Sequence, residues 1–245
     1  MPARTTPFEI DPLTDWLWCL RTPMVQAYAV RQSGGFNLVD TGTTGSAPAI
    51  LAALAAIDGI AVDDVRVHEI LLTHGHDDHA GSADALVRRT GARLLGPAVD
   101  EPYISRVRLA PPPRLLEWEV ELYRQARADV PPAPPATLDV LLHPGDTLAW
   151  ERPVTIVGAP GHTPGSVAAH FARDRVLLAG DAIAAHRGAP IVGVFNVDTD
   201  EAARSFARLA RLDVDIAAFG HGDPLRTDAR ARLAAVADRL ATADA

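Results

Sequence analysis

The sequence predicts an α/β fold with its chemistry at strand ends, and three observations carry that prediction. Short apolar, strand-like runs alternate with longer segments whose apolar residues recur at helical spacing. The chain has 245 residues, 48% of them apolar, which is enough to bury a substantial core, so a single domain over residues 1–245 is expected. Residues 73–79, Thr-His-Gly-His-Asp-Asp-His, set three imidazoles and two carboxylates directly behind the apolar run Glu69-Ile70-Leu71-Leu72.

The opening part reads as strands over Trp16 to Leu20, Val25 to Val30 and Phe36 to Val39, with Ser33-Gly34-Gly35 as a hairpin turn. A helix follows: Ser46 is placed to cap it, Pro48 sits in its first turn, and Ile50, Leu51, Leu54 and Ile57 form its apolar stripe until Asp58-Gly59 ends it. Val67 to Leu72 is a short buried strand. An Ala-rich amphipathic stretch from Ala80 to Arg89 closes at Thr90-Gly91, and Ala92 to Leu95 is the next strand. In this order the His/Asp segment falls at a strand's C-terminal edge, where α/β architectures gather functional loops.

Residues 97–150 differ in character. Pro111-Pro112-Pro113 and Pro131-Pro132-Ala133-Pro134-Pro135 bracket Arg114 to Ala128, which reads as one helix with apolar positions Leu115, Trp118, Leu122 and Leu116, Val120, Tyr123. Two roles fit this insert, a lid over a metal cleft or a helix packed on the outer face, and the sequence leaves both open. Beyond it, Val154 to Val157, Ser166 to Phe171 and Arg175 to Leu178 are strands. Asp198, Thr199 or Asp200 can cap a helix from Glu201 to Leu212; Val214 to Phe219 is a strand, and Thr227 to Leu240 the final helix.

Composition narrows the function. The formal net charge of −8 lacks the basic face that displaces counterions from nucleic acid, so no nucleic-acid partner is expected. No apolar run approaches the roughly 20 residues of a membrane span. The N-terminal Met-Pro-Ala-Arg-Thr-Thr-Pro has no apolar leader, so the expectation is a cytoplasmic protein without membrane attachment. The single cysteine, Cys19, lies among Trp16, Leu17, Trp18 and Leu20 and reads as a buried strand thiol.

His74, His76, Asp78 and His79 can converge only where the chain turns tightly, and Gly75 permits that turn. Three more residues share the setting of glycine neighbours. They are His162 in Gly161-His162-Thr163-Pro164-Gly165, Asp181 after Leu177-Leu178-Ala179-Gly180, and His221 in Phe219-Gly220-His221-Gly222-Asp223. Imidazole and carboxylate donors suit zinc and its first-row neighbours. Asp40, with Thr73, is the candidate for fixing the imidazoles from behind, since a metal-bound histidine usually donates its second N–H to a carboxylate or carbonyl. His68, His170, His143 and His186 carry no such pattern and read as strand or loop residues.

With His-x-His-x-Asp-His at 74–79, then His162, Asp181 and His221, the chain resembles the metallo-β-lactamase-fold superfamily. The likeness runs from Val39-Asp40-Thr41-Gly42 to the segment around His221. It implies an α/β, four-layer αββα sandwich with an inserted helical segment. It also implies two divalent metal ions, zinc first with iron or manganese as alternatives. His74, His76 and His162 would hold one ion and Asp78, His79 and His221 the other, with Asp181 bridging.

The aspartate at 181 is similar to that of the glyoxalase II and lactonase branch, where β-lactamases usually carry Cys or Ser. The activity implied is hydrolysis of a small ester, lactone or thioester by a metal-bound hydroxide, with Asp78 orienting the attacking water. An iron-dependent redox enzyme on the same scaffold, or a weak β-lactamase activity, is the alternative. The implied partner is a small-molecule substrate; the oligomeric state is not legible.

Overall fold

The computed structural model describes residues 8–22 and 24–243. The N-terminal segment read for a leader, residues 1–7, lies outside them. The chain divides into two compact units, one of Met1–Gly96, Glu101–Leu109 and Ala126–Leu141, the other of Pro97–Asp100, Ala110–Gln125 and Leu142–Ala245.

The first unit is built on a seven-stranded sheet whose strands lie in chain order. Strands β1 (Glu9–Pro12), β2 (Leu17–Arg21), β3 (Gln26–Gln32) and β4 (Gly35–Val39) form an antiparallel meander. Gly34, at φ +72°, turns the chain between β3 and β4. From β4 the pairing becomes parallel, to β5 (Val67–Leu71) and then β6 (Arg93–Pro97). A parallel step needs a crossover, and α1 (Ala47–Asp58) and α2 (Ala83–Thr90) supply the two.

Ile50, Leu51 and Leu54 of α1 and Leu86 of α2 pack with Phe36, Leu38, Ile70 and Leu94 in one buried cluster, which fixes both helices on the sheet. Gly59 and Gly91 end them in left-handed conformation, as their positions predict. Two sequence expectations are corrected. Ser46 occupies the N-cap of α1 without a side-chain capping bond, because it already has helical dihedrals, φ −75° and ψ −18°, and the Ser82 hydroxyl accepts the Ser46 and Ala47 N–H groups at 2.8 and 3.2 Å. Helix α2 starts at Ala83 rather than Ala80, because Ala80 is held back in the preceding turn by its N–H bond to the His76 carbonyl at 2.9 Å.

The insert contains α3 (Glu101–Ile104) and α4 (Glu119–Asp129) before the chain returns to the sheet with β7 (Val140–Leu142). Helix α4 is shorter than its sequence predicts at the N-terminal end. Residues 114–118 lie outside the helix; there the Arg114 N–H donates to the Asn196 carbonyl and the Leu116 N–H to the Glu119 carboxylate, both at 2.8 Å. Its amphipathicity is also reversed: Leu116, Trp118, Val120 and Leu122 are exposed, and the buried residue of the helix is Glu119.

The second unit has a five-stranded sheet in the order β14-β11-β10-β9-β8. Its strands are β8 (Thr147–Leu148), β9 (Val154–Gly158), β10 (Val167–Phe171), β11 (Val176–Leu178) and, after a hairpin of β12 (Ile183–His186) and β13 (Ala189–Val192), the parallel strand β14 (Ile216–Ala218). Helices α5 (Thr199–Leu209) and α6 (Ala229–Ala243) cover it, with Phe206, Leu209 and Leu233 packed on Ala168, Leu177 and Ala217. Of the three candidate caps, Asp198 does the capping, its carboxylate accepting the Glu201 N–H at 3.0 Å. The short strands β1, β7, β8, β12 and β13 carry no apolar run long enough to be read in advance. Among the described residues no helix is long and apolar enough to cross a membrane.

Candidate metal centre

In the first unit the His/Asp segment leaves β5 and folds back under its own backbone bonds: the His79 and Ala80 N–H groups both reach the His76 carbonyl, at 3.1 and 2.9 Å. The Thr41 N–H and hydroxyl both donate to the His79 carbonyl, at 2.8 and 2.6 Å, and tie the turn to the end of β4. The consequence is a cluster of rings: His74 lies 4.8 Å from His76 and 4.2 Å from His79, centroid to centroid.

Asp40 organises this cluster from behind. It is buried, stands at φ +60°, a conformation that Asp and Asn tolerate better than most residues, and accepts three bonds. The Thr73 N–H donates to Oδ1 at 2.8 Å, while the Thr73 hydroxyl and His79 Nδ1 reach Oδ2 at 2.8 and 2.9 Å. Since the Thr73 hydroxyl spends its proton on Asp40, it accepts from His74 Nδ1, 3.0 Å away. Both rings therefore carry hydrogen on Nδ1 and present Nε2, the tautomer a metal ligand requires.

Asp77, between the histidines and Asp78, faces away from them. It pairs with Arg106 at 2.7 Å and Arg127 at 3.1 Å and accepts the Ala133 N–H at 3.0 Å, which fastens the proline-rich segment to this loop.

In the second unit, His162 sits in the turn between β9 and β10. Buried Asp100 shapes that turn, accepting the Thr163 hydroxyl and the Gly165 N–H, both at 2.7 Å. Gly165 has to be glycine, since a Cβ there would lie 2.5 Å from the Asp100 carboxylate. His162 Nδ1 donates to the Val194 carbonyl at 3.0 Å, so this ring too presents Nε2. Asp181 lies in a 3₁₀ turn directly after β11, and His221 follows β14, where Gly222 at φ +85° lets the chain pass close to Ala185.

The separations within each unit suit ligands of a common ion. Two donors about 2.0–2.1 Å from a tetrahedral metal stand roughly 3.3 Å apart. His74 Nε2 and His76 Nδ1 are 3.1 Å apart, His162 Nε2 and Asp181 Oδ2 3.4 Å, and His221 Nε2 and Asp181 Oδ2 3.2 Å; Asp78 Oδ2 is 3.9 Å from His79 Nε2. Among the described residues, the first unit thus gathers His74, His76, Asp78 and His79, and the second His162, Asp181 and His221, all of them groups of a kind that could hold a metal ion. The remaining histidines lie elsewhere: His68, His143 and His186 are exposed, and His170 is buried within β10. Sequence reasoning named Asp40 and Thr73 but missed Asp100 and Asp77. Asp100 follows a strand end with no motif around it, and Asp77 is hidden among residues read as ligands.

The family model of the metallo-beta-lactamase superfamily matches residues 20–221. The chain belongs to that superfamily and is a metal-dependent hydrolase of its fold. It is 26% identical over 226 residues to the probable metallo-hydrolase YflN of Bacillus subtilis (strain 168), covering 84% of this chain and 83% of that one. It is 31% identical over 154 residues to the hydroxyacylglutathione hydrolase of Fuscovulum blasticum, covering 62% of this chain but only 45% of that one. Among solved structures, a metallo-beta-lactamase family protein of Thermus thermophilus superposes with a TM-score of 0.68 at 26% identity, over 94% of this chain and 81% of that one.

Proposed function

We propose that this chain is a dinuclear metallohydrolase acting on a small ester, lactone or thioester, with zinc as the metal. The reading assigns His74, His76 and His162 to one ion, Asp78, His79 and His221 to the other, and Asp181 to the position between them. The observation that carries it is the donor chemistry: within each unit, imidazole and carboxylate groups of the kind that take a first-row metal ion stand together. The ligand-pair separations and the Nδ1 partners of His74, His79 and His162 support it further.

Bound there, two divalent ions would supply a nucleophile from water near neutral pH and stabilise the charge that develops on a carbonyl oxygen. The chain's own residues do the rest. Asp40 and Thr73 hold two imidazoles in the tautomer with Nε2 forward, and Val194 does the same for His162. Asp181 contributes a carboxylate that two cations can share, offsetting part of their charge. Asp78, partly open to solvent, would accept a hydrogen bond from the attacking water and aim it. Arg106 and Arg127 occupy neighbouring Asp77, which leaves Asp78 as the carboxylate of this loop for that duty.

The relatives named as hydroxyacylglutathione hydrolases, with the aspartate at position 181, favour an activated acyl substrate over a β-lactam. The test is a hydrolysis screen of lactones, thioesters, aryl esters, phosphodiesters and β-lactams on protein of measured metal content. Turnover within the first three classes is expected, lost in Asp181→Ala and lost reversibly on chelation. Turnover that survives both treatments, or two irons with oxygen uptake and no hydrolysis, overturns the proposal.

A further inference from the structure

One peptide bond, between Val194 and Phe195, makes two hydrogen bonds in opposite directions. Its carbonyl accepts His162 Nδ1 at 3.0 Å, and its N–H donates to Glu119 Oε1 at 3.0 Å. Because a trans peptide is planar, these bonds are mechanically one: any rotation that breaks the first breaks the second. Glu119 is buried on a helix whose apolar neighbours are exposed, and its other oxygen accepts the Leu116 N–H at 2.8 Å, so the carboxylate is held at both ends. A buried carboxyl in that position needs a reason, since burial without compensating partners is costly.

The backbone supplies one. Phe195 stands at φ +61°, a left-handed conformation that a bulky residue rarely adopts. Turning the 194–195 peptide over would carry Phe195 back to an ordinary φ and swing the Val194 oxygen away from His162. The Glu119 carboxylate opposes that turn, and by accepting the N–H it also polarises the carbonyl toward His162. The same loop is tightly packed on Asp181: a Cβ on Gly193 would lie 1.7 Å from the Asp181 carbonyl oxygen.

We propose that Glu119 is a positioning residue for the metal ligand His162, acting through the Val194–Phe195 peptide as Asp40 acts directly on His79. This rests on the metal-binding reading above. The proline-rich insert then contributes a carboxylate to the support of a ligand.

The experiment measures zinc affinity by competition with a chromophoric chelator. If the unmutated protein takes up no zinc, the metal-binding reading fails and this inference with it. Given two equivalents bound, Glu119→Ala should weaken the binding by about 10–100-fold, the usual effect of losing an outer partner of a metal-bound histidine. Glu119→Gln, which keeps an acceptor for the Phe195 N–H, should fall between. Adding Phe195→Gly to Glu119→Ala should recover affinity, because glycine holds a positive φ without strain; a merely structural Glu119 predicts no such rescue. Affinity unchanged in folded Glu119→Ala overturns the proposal. Should that variant not fold, amide exchange in the unmutated protein decides. Zinc should slow exchange at Phe195 and Leu116 together, and slowing absent from both amides overturns it.

Discussion

Asp40→Asn separates metal binding from folding. The substitution keeps the backbone, since Asn tolerates φ +60°, and keeps the volume. The amide oxygen can stay on the Thr73 N–H, now at 2.8 Å, because the opposite flip would set the amide N–H₂ against that N–H. The N–H₂ then occupies the Oδ2 position, where it meets two donors, the Thr73 hydroxyl and His79 Nδ1 at 2.8 and 2.9 Å. The network can be satisfied by reversal. The Thr73 hydroxyl turns over and donates to His74 Nδ1, and His79 Nδ1 becomes an acceptor. Both rings then carry hydrogen on Nε2 and no longer offer a lone pair there.

In the metal-free protein the cost is the difference between charged and neutral hydrogen bonds, about 1 kcal/mol for each of three, partly offset by the easier burial of a neutral amide, which leaves about 1–2 kcal/mol, or roughly 2–8 °C in Tm for a chain of this size. Metal affinity carries a larger loss, about 10–100-fold for each of two histidines. Combined, and if the two losses add, the fall is on the order of 10²–10⁴-fold. Zinc competition on Asp40→Asn beside thermal unfolding of the stripped protein reads both. Affinity within a few-fold of the original would refute the tautomer argument. A variant that loses stability by several kcal/mol would show that Asp40 serves the fold instead.

Three further outcomes are expected. Gly193→Ala would place a methyl 1.7 Å from the Asp181 carbonyl oxygen and should cost at least about 1–3 kcal/mol in denaturant unfolding with loss of bound zinc; unchanged values of both would contradict the close packing. Burial, with the Asp11 charge adding and Arg21 opposing, pushes the Cys19 thiol up to about 12, so a thiol reagent at pH 8 should label it only after denaturation. Burial also lowers the His170 pKa, opposed by the carbonyl and charge of Asp213. The folded state then binds this proton less readily than the unfolded chain. Stability of the metal-free protein should fall as pH drops below about 6.5 and level off beneath the folded value. His170→Gln should flatten that slope, and identical slopes would rule His170 out as its source.

Most regular elements around the site were legible because their signals are local. The stripe Ile50, Leu51, Leu54 and the glycine stops at 59 and 91 define α1 and α2 whatever lies beyond them. The candidate donors were legible for a similar reason: His74, His76, Asp78 and His79 crowd one short segment behind a strand, and His162, Asp181 and His221 each stand beside glycine. The covered face of the insert's helix was not legible, because periodicity reports which residues share a helix face and says nothing of which face is covered. In α4 the covered residue is Glu119, and Trp118 and Leu122 are left in solvent.

The sequence by itself therefore determined the α/β character, the order of the main elements and the identity of the metal-type residues, since these depend on spacing and residue chemistry along the chain. Only the tertiary structure decided what stands behind each candidate ligand. Asp40 reaches His79 across 39 positions and Thr163 reaches Asp100 across 63. Glu119 reaches Phe195 across 76. A hydrogen bond over such distances is set by the packing of strands and loops, and no local pattern encodes it.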